Sequence, residues 1–190
     1  MLVEGPTDAA VARRLLAHAN LSPGDVFGQN GIGYIKKKLE GFAVRVQFGA
    51  PLLVLVDCLD LGIECVRDLS RQLISGERPS GLLLRGVVPQ IESWLLADRP
   101  SMAAHLSVSL SRIPLYPEHE SNAKQTLVNI ARHSRNKRVR EAIVPSAGAS
   151  VGPGYVASMI EFATNKWNPH VASGNCDSLA RCIRRLREIV

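Results

Sequence analysis

Residues 52–60 read Leu-Leu-Val-Leu-Val-Asp-Cys-Leu-Asp. The unbroken apolar run at 52–56 is followed by two acidic residues, Asp57 and Asp60. A short continuous apolar run is typical of a strand that is buried on both faces, as in a parallel sheet. Acidic residues at the end of such a strand stand at the carboxyl edge of the sheet, where open α/β folds bind ligands. This stretch therefore predicts an α/β fold with a binding crevice at that edge.

The first half of the chain repeats this alternation of apolar runs and amphipathic stretches, which is the pattern of a mostly parallel sheet with flanking helices. We predict four strands, over residues 1–3, 25–28, 52–56 and 82–88. Four helices are predicted after them: one to about Ala19 with Thr7 and Asp8 as its N-cap, one opened by Gly31 and Gly33, one over 61–74, and one started by Pro89.

The pattern changes beyond Asp98, because Pro100, Pro114 and Pro117 interrupt the chain and no further strand is indicated. Helices are predicted over residues 122–134, 151–166 and 175–189. We therefore divide the chain into an α/β core, residues 1–98, and a mainly helical, basic C-terminal extension, residues 99–190, packed on that core.

The charge of the chain is unevenly distributed. Residues 1–123 carry 12 Lys and Arg against 13 Asp and Glu, whereas residues 124–190 carry 11 against 4. Such a basic excess suits a phosphate backbone, and a solvated helix face explains it equally well. The candidates for nucleic-acid contacts are Lys36, Lys37, Lys124, Arg135, Lys137 and Arg138.

Composition also narrows the class of protein. The apolar stretches are far shorter than the roughly 20 residues that cross a bilayer, and no charged and then apolar leader opens the sequence. The four cysteines lack Cys-x-x-Cys spacing, and the five histidines are scattered singly. We expect a cytoplasmic protein with reduced thiols and without membrane association.

Acidic residues follow three of the four predicted strands. Glu4 ends the first strand, Asp57 ends the third, and Glu92 lies in the first turn of the helix after the fourth. Hard cations such as Mg2+ or Mn2+ take oxygen ligands, and Mg2+ often takes one or two carboxylates plus water and phosphate. Together with Asp60, these acids predict a metal site at one edge of the sheet.

Each acid also has an ordinary explanation. Glu92 would complement the helix dipole, Asp57 would form a turn or serve a nucleotide-binding or phosphoacceptor site, and Asp8 would be a helix cap. Glu64 is a further metal-ligand candidate, although a helical position favours a solvent-facing side chain. The combined placement of the acids, more than any single residue, supports a functional site.

The motifs around these acids resemble the TOPRIM superfamily, the catalytic domain shared by topoisomerases, bacterial primases and OLD-type nucleases. Val-Glu-Gly-Pro-Thr-Asp at 3–8 is similar to the glutamate motif of OLD-type and small stand-alone TOPRIM proteins, and Val-Asp-Cys-Leu-Asp at 56–60 to the aspartate motif. Ile-Glu-Ser-Trp-Leu-Leu at 91–96 resembles the Glu-x-Trp segment of the stand-alone members, and Ser-Leu-Ala-Arg at 178–181 their C-terminal segment. The resemblance covers about residues 1–98 and implies a TOPRIM or Rossmann-like sheet.

The resemblance also implies metal-dependent phosphodiester hydrolysis. Asp57 and Asp60 would hold Mg2+ against a phosphate oxygen, Glu92 would complete or share a second cation, and Glu4 would act as general base or further ligand. The chain departs from the family at Leu59, which occupies the position of the second aspartate and leaves Asp-x-x-Asp. Asp60 then reaches the same cation only if the chain turns immediately after Asp57.

Three interpretations remain open at this point. The first is a TOPRIM-type nuclease, such as a defence or mobile-element effector. The second, favoured by Leu59, is a catalytically degenerate TOPRIM domain that binds nucleic acid or a partner ATPase. We expect any such ATPase to be a separate polypeptide, since no Gly-x-x-x-x-Gly-Lys-Ser/Thr run occurs in this sequence. The third is a small phosphatase or nucleotide-binding α/β protein that uses the same crevice.

Overall fold

Four parallel strands form one sheet in the computed structural model of the chain, which describes residues 1–49, 51–63 and 68–189. The strands are β1 (Leu2–Val3), β2 (Phe27–Gly28), β3 (Leu52–Asp57) and β4 (Leu82–Val87). Their order is β2-β1-β3-β4, and each neighbouring pair runs parallel. The predicted α/β fold with a helical C-terminal region is therefore confirmed.

Helices flank the sheet and form most of the second half of the described chain. In the first half they are α1 (Pro6–His18), α2 (Gly31–Val46), α3 (Cys58–Leu61), α4 (Leu69–Leu73) and α5 (Ile91–Ala97). In the second half they are α6 (Arg99–Leu106), α7 (Ala123–Ala131), α8 (Lys137–Ile143), α9 (Tyr155–Asn165), α10 (Pro169–Ser173) and α11 (Asp177–Arg187), with 3-10 turns at Leu110–Arg112 and Pro117–His119. No helix in the described residues is long and apolar enough to cross a membrane.

Two predicted helix starts are wrong. The N-cap of α1 is Gly5, without a side-chain cap, and Thr7 and Asp8 lie buried inside the first turn, because Pro6 already begins the helix. The helix after β4 starts at Ile91 and not at Pro89. The carbonyl of Pro89 instead accepts a hydrogen bond from the backbone N–H of Leu59, at 3.0 Å, which ties this segment to α3.

The helix predicted over residues 61–74 is also interrupted. Gly62 ends α3 in the left-handed conformation, with φ of 63°, which glycine adopts at little cost. The next described helix, α4, begins at Leu69. Residues 64–67, including the candidate Glu64, lie outside the described residues.

Helices α6, α8 and α10 are additions to the prediction. Pro100 lies in the first turn of α6, where a proline fits, and so it does not break the segment as the sequence suggested. Each of these helices has 8 residues or fewer, too short for a clear apolar period. The helices predicted over 122–134, 151–166 and 175–189 correspond to α7, α9 and α11.

Each face of the sheet carries its own hydrophobic cluster. Alternate strand residues point to opposite faces, so Leu2, Val54 and Val56 pack with α2, whereas Val3 and Leu55 pack with α1 and α5. The cluster that contains Val3 and Leu55 also includes residues of the C-terminal helices. Its largest fully buried side chains are Trp94, Phe162 and Trp167. Both tryptophans are therefore core residues.

Candidate active site

A cleft of about 300 Å3 opens at the carboxyl edge of the sheet, where β1 and β3 end. The segment around Val151 and Tyr155 forms part of its lining. Five carboxylates and one amino group also line it, those of Glu4, Asp8, Asp57, Asp60, Glu92 and Lys124. The cleft lies where the topology of a parallel sheet places a ligand.

Local structure explains why the acids meet there. Glu4 directly follows β1, and Asp57 is the last residue of β3. Asp8 and Glu92 lie in the first turns of α1 and α5, the helices that leave the same edge of the sheet. A helix N-terminus stabilises negative charge, so these two positions tolerate a buried carboxylate better than the middle of a helix would.

Glu4 and Asp57 are joined by a direct hydrogen bond. The backbone N–H of Asp57 donates to Oε1 of Glu4 at 2.8 Å, and both side chains are buried. This bond connects the ends of two adjacent strands and fixes the Glu4 carboxylate against the start of α3.

Glu92 has two partners from the C-terminal half of the chain. Its Oε1 accepts a hydrogen bond from the hydroxyl of Tyr155 at 2.8 Å and lies 3.7 Å from Nζ of Lys124. Burial lowers the pKa of Lys124, but the attraction of Glu92, Asp57 and other acids outweighs it, so the net shift is upward. Lys124 is therefore a firmly protonated counter-charge at the cleft.

Three carboxylate oxygens in this cleft are buried without a hydrogen-bond partner among the described residues. They are Oδ1 of Asp8, Oδ1 of Asp57 and Oε2 of Glu92. A buried unpaired carboxylate oxygen is costly, and native structures contain few of them. These oxygens are free to accept a proton or to bind a cation.

The pKa values of the acids reflect the same crowding. Burial raises the pKa of Asp8 to about 7, helped by repulsion from Glu92 and Glu4, and burial likewise raises that of Glu4 to about 7. The pKa of Asp57 lies well above its usual value, first because of burial and then because of repulsion from Asp8, Glu92 and Glu4. A bound cation would relieve this repulsion.

The donor set suits a hard cation, although the protein ligands alone do not complete a site. Among the described residues no group of three or more His, Cys, Asp or Glu side chains could by itself hold a metal ion. Mg2+ does not require such a group, because it commonly binds through one or two carboxylates and takes water and substrate phosphate for the rest. The unpartnered oxygens of Asp57 and Glu92 fit that mode.

The structure brings all four predicted acids, Glu4, Asp57, Asp60 and Glu92, to the lining of one cleft. The chain does turn immediately after Asp57, because α3 begins at Cys58, and this turn allows the exposed Asp60 to reach the cleft. Leu59 is 41% exposed and is not among the described lining residues.

The predicted basic residues fall into two groups. Lys124 lines the cleft, and Lys36, exposed on α2, is close enough for its charge to lower the pKa of Glu4. The exposed Lys37 lies beside it on the same helix. The remaining three, exposed at or just before the start of α8, are not among the described lining residues: Arg135, Lys137 and Arg138.

The sequence pattern does not identify Asp8 or Tyr155 as site residues. Asp8 has the pattern of a helix cap, although its position four residues after Glu4 places it on the turn of α1 nearest the strand end. Tyr155 lies 63 positions from Glu92 in the chain, and no local pattern connects the two. Only the packing of α9 against the core brings them together.

Comparison of the chain with protein-family models, with curated proteins and with solved structures gives no match in any of the three. The TOPRIM resemblance therefore rests on the motifs of the sequence. The class that the fold and cleft define is an α/β protein with an acidic cleft at the carboxyl edge of a parallel sheet.

Proposed function

We propose that the protein is a metal-dependent nuclease of TOPRIM type that hydrolyses phosphodiester bonds with Mg2+ or Mn2+. The observation that carries the proposal is the trio of buried, unpartnered carboxylate oxygens of Asp8, Asp57 and Glu92 in one cleft. Native structures contain few such oxygens, and a bound cation or proton is a physical explanation for them.

In this proposal Asp57 and Glu92 hold the cation, and Asp60 approaches it from the exposed turn of α3. A bound divalent cation would supply charge stabilisation to a phosphate oxygen and lower the pKa of a bound water. Tyr155 and Lys124 orient Glu92 through the contacts at 2.8 and 3.7 Å. Lys124 also places a positive charge where the phosphate would enter.

Glu4 has the properties of a general base. Its raised pKa, about 7, lets the carboxylate accept a proton near neutral pH, and its hydrogen bond to Asp57 N–H fixes its orientation. Glu4 would take a proton from water as the water oxygen bonds to phosphorus. The bond from phosphorus to the leaving ribose oxygen then breaks, and that oxygen recovers a proton.

The test is cleavage of labelled single-stranded and double-stranded DNA and RNA with Mg2+, Mn2+ or EDTA. We expect metal-dependent cleavage by the wild type and a loss of roughly 100-fold or more in Asp57→Ala. Asp68→Ala, which removes an exposed acid before α4, is the matched control and should cleave normally. Cleavage that survives Asp57→Ala would contradict the proposal.

A degenerate TOPRIM domain that binds nucleic acid or a partner ATPase is the second candidate. It is favoured by Leu59 at the motif position and by the lack, among the described residues, of three side chains that could hold a metal by themselves. It predicts salt-sensitive binding that Asp57→Ala leaves unchanged, with no cleavage in any metal. A phosphatase would instead turn over a small phosphate ester in a manner that depends on Asp57.

A further inference from the structure

A second pocket, of about 270 Å3, lies at the outer edge of β4 and is lined by three arginines. We call it the arginine pocket and define it by Arg78, Arg85, Arg181, Ser70 and Ser178. Among the described strands β4 pairs with β3 alone, so its other edge is open to this pocket. None of these residues lines the acidic cleft.

Arg85 interrupts an otherwise apolar strand. It lies in the run Leu-Leu-Leu-Arg-Gly-Val of β4 and is half-buried. Its Nε donates a hydrogen bond to the carbonyl of Leu84 at 2.8 Å. No carboxylate among the described residues forms an ion pair with Arg85 or with Arg78. A guanidinium in such a position normally pairs with an anion, because partial burial of an unpaired charge is costly.

The surrounding charges add to this imbalance. Burial is the main cause of the lowered pKa of Arg85, and Cys182 opposes it. The nearby positive charges of Arg78 and Arg185 lower this pKa further, and Glu188 raises it. The Glu188 carboxylate is already engaged in an ion pair with Arg185. Positive charge therefore accumulates at the pocket without a carboxylate of its own.

The third arginine and the nearest helix terminus already have partners. Arg181 forms an ion pair with Asp177 one turn earlier in α11. The backbone N–H groups of Asp177 and Ser178 both donate to the carboxylate of Glu118, at 2.6 and 2.9 Å. An anion in the pocket would therefore rely on side chains, chiefly those of Arg78 and Arg85.

Ser178 contributes a hydroxyl group with a defined orientation. Its Oγ accepts the indole N–H of Trp94 at 2.7 Å, which leaves the hydroxyl proton to be donated elsewhere. The other hydrogen-bond partner of this Oγ among the described residues is Sγ of Cys176 at 3.8 Å, a weak acceptor. The hydroxyl is thus available to an oxygen-rich ligand in the pocket.

We propose that the arginine pocket binds a phosphate group. The planar guanidinium fork matches two phosphate oxygens, and arginine together with hydroxyl donors is the usual protein surface for this group. Pockets for drug-sized ligands begin at roughly 300 Å3, so a volume of about 270 Å3 suits a compact group.

In the complex with nucleic acid, this group is a phosphate in the backbone of the same nucleic-acid strand that enters the acidic cleft. This assignment rests on the proposed function. Asp57 pairs in register with Val87, two residues beyond Arg85 on the adjacent strand. Strand geometry then separates the Cα atoms of Arg85 and Asp57 by about 8 Å. The pocket lies on the far side of β4 from β3, so at about 3.4 Å per nucleotide a nucleic-acid strand that joins the two sites spans at least two to three nucleotides.

The first arm of the test uses inorganic phosphate as the probe and needs no nucleic acid. Thermal unfolding of the full chain is measured over a millimolar range of phosphate and compared with KCl at the same ionic strength. Binding to the folded state raises the midpoint. We expect this rise in the wild type and in Arg45→Gln, a control that removes an exposed arginine from α2, and its loss in Arg85→Gln and Arg78→Gln.

Arg78 is exposed, so Arg78→Gln keeps the test decisive if Arg85→Gln unfolds the protein. The phosphate site is refuted if the wild type shows no phosphate-specific rise, or if Arg78→Gln and Arg85→Gln keep the full rise.

The second arm measures binding of labelled oligonucleotides in EDTA, where no metal-dependent cleavage occurs. Arg85→Gln should weaken binding about tenfold, as expected for loss of a charge-assisted hydrogen bond. The slope of log K against log salt should fall by about 0.7 to 0.9, the value for one phosphate contact. Arg45→Gln should leave both quantities unchanged.

The two proposals fail in different ways. Binding that depends on Arg85 without cleavage supports the pocket and contradicts the nuclease proposal. Cleavage that depends on Asp57, with binding independent of Arg85, contradicts the backbone assignment. If Arg85→Gln abolishes the rise of the unfolding midpoint in phosphate but leaves oligonucleotide binding unchanged, the backbone assignment is also overturned. The ligand is then a small free phosphate compound.

Discussion

The hydrogen bond from Tyr155 to Glu92 shows how much the site depends on single side chains. Glu92 is 2% exposed, and its Oε1 has Tyr155 at 2.8 Å and Lys124 at 3.7 Å as partners. Its other oxygen has no partner among the described residues. The contacts to Oε1 therefore determine which oxygen is turned toward a cation.

Tyr155→Phe removes only the hydroxyl that orients Glu92. We expect the concentration of Mg2+ needed for cleavage to rise roughly 10- to 100-fold, as is usual when a group that orients a metal ligand is lost. The measurement is the Mg2+ dependence of cleavage and of the unfolding midpoint. Tyr116→Phe, at a 66% exposed tyrosine, is the control, and equal behaviour of both variants would exclude an orienting role.

Asp8 predicts an unusual dependence of stability on pH in metal-free protein. Its folded-state pKa of about 7 lies above the unfolded value of about 3.9, so the folded state binds the proton more tightly. The resulting stability is complete below pH 4 and is lost as pH rises through 7. Glu4, with a pKa also raised to about 7, contributes in the same direction.

Asp8→Asn should remove part of this pH dependence. We expect the metal-free variant to be more stable than the wild type at pH 8, by on the order of 2 kcal/mol, because the amide cannot ionise. Denaturant unfolding in EDTA at pH 4, 6 and 8 measures this. A variant that is less stable than the wild type at pH 8, or an unchanged slope between pH 4 and 7, would show that burial of the Asp8 charge carries no such cost.

At the scale of elements, α3 decides which residue after Asp57 serves the cleft. Side chains two apart in a strand point the same way, but neighbouring residues on a helix differ by about 100° in direction. Because α3 begins at Cys58, Leu59 is turned to solvent and Asp60 lines the cleft. The turn thus brings Asp60, the last residue of Asp-x-x-Asp, to the cleft.

Two substitutions on α3 test this conclusion. If the proposed function holds, Asp60→Asn should weaken the Mg2+ response of cleavage about tenfold. Leu59→Asp, which creates the Asp-x-Asp spacing of the motif that the sequence resembles, should leave it nearly unchanged. Both variants are assayed by Mg2+ titration beside the wild type. A large gain in Leu59→Asp together with a silent Asp60→Asn would show that residue 59 faces the metal.

The element boundaries also show where sequence patterns lose their predictive value. The run at 52–56 predicts β3 well, because five consecutive apolar residues followed by Asp57 are typical of a short buried strand. Pro89 and Pro100 mislead in opposite directions: the first lies before its helix and the second lies inside one. A proline restricts the local backbone, but tertiary contacts such as the hydrogen bond between Leu59 and Pro89 decide whether it lies before a helix or inside one.

At the scale of the whole molecule, the C-terminal helices and the sheet share one hydrophobic cluster. It joins Leu55 of β3 and Trp94 of α5 to Phe162 of α9 and Trp167 after it. The indole N–H of Trp167 donates to the carbonyl of Trp94 at 3.0 Å, across the proposed boundary at residue 98. The two parts of the chain should therefore unfold together.

Phe162→Ala should lower the free energy of unfolding by about 3 to 5 kcal/mol, because it removes a fully buried ring from this cluster. Tryptophan fluorescence and far-UV circular dichroism should report a single coincident transition in the wild type and the variant. Val171→Ala, at a 38% exposed position on α10, should cost much less. Two separated transitions would indicate that the halves fold independently.

The sequence by itself determined the parallel sheet and the acids at its edge. Strand runs and the residues that end them are local features, and parallel topology brings the ends of strands such as β1 and β3 to the same edge. Glu4, Asp57, Asp60 and Glu92 were predictable for that reason. Only the tertiary structure decided the burial of Asp8, the contact of Tyr155 with Glu92 and the arginine pocket, because packing of α9 and α11 against the core creates these features from residues far apart in the chain.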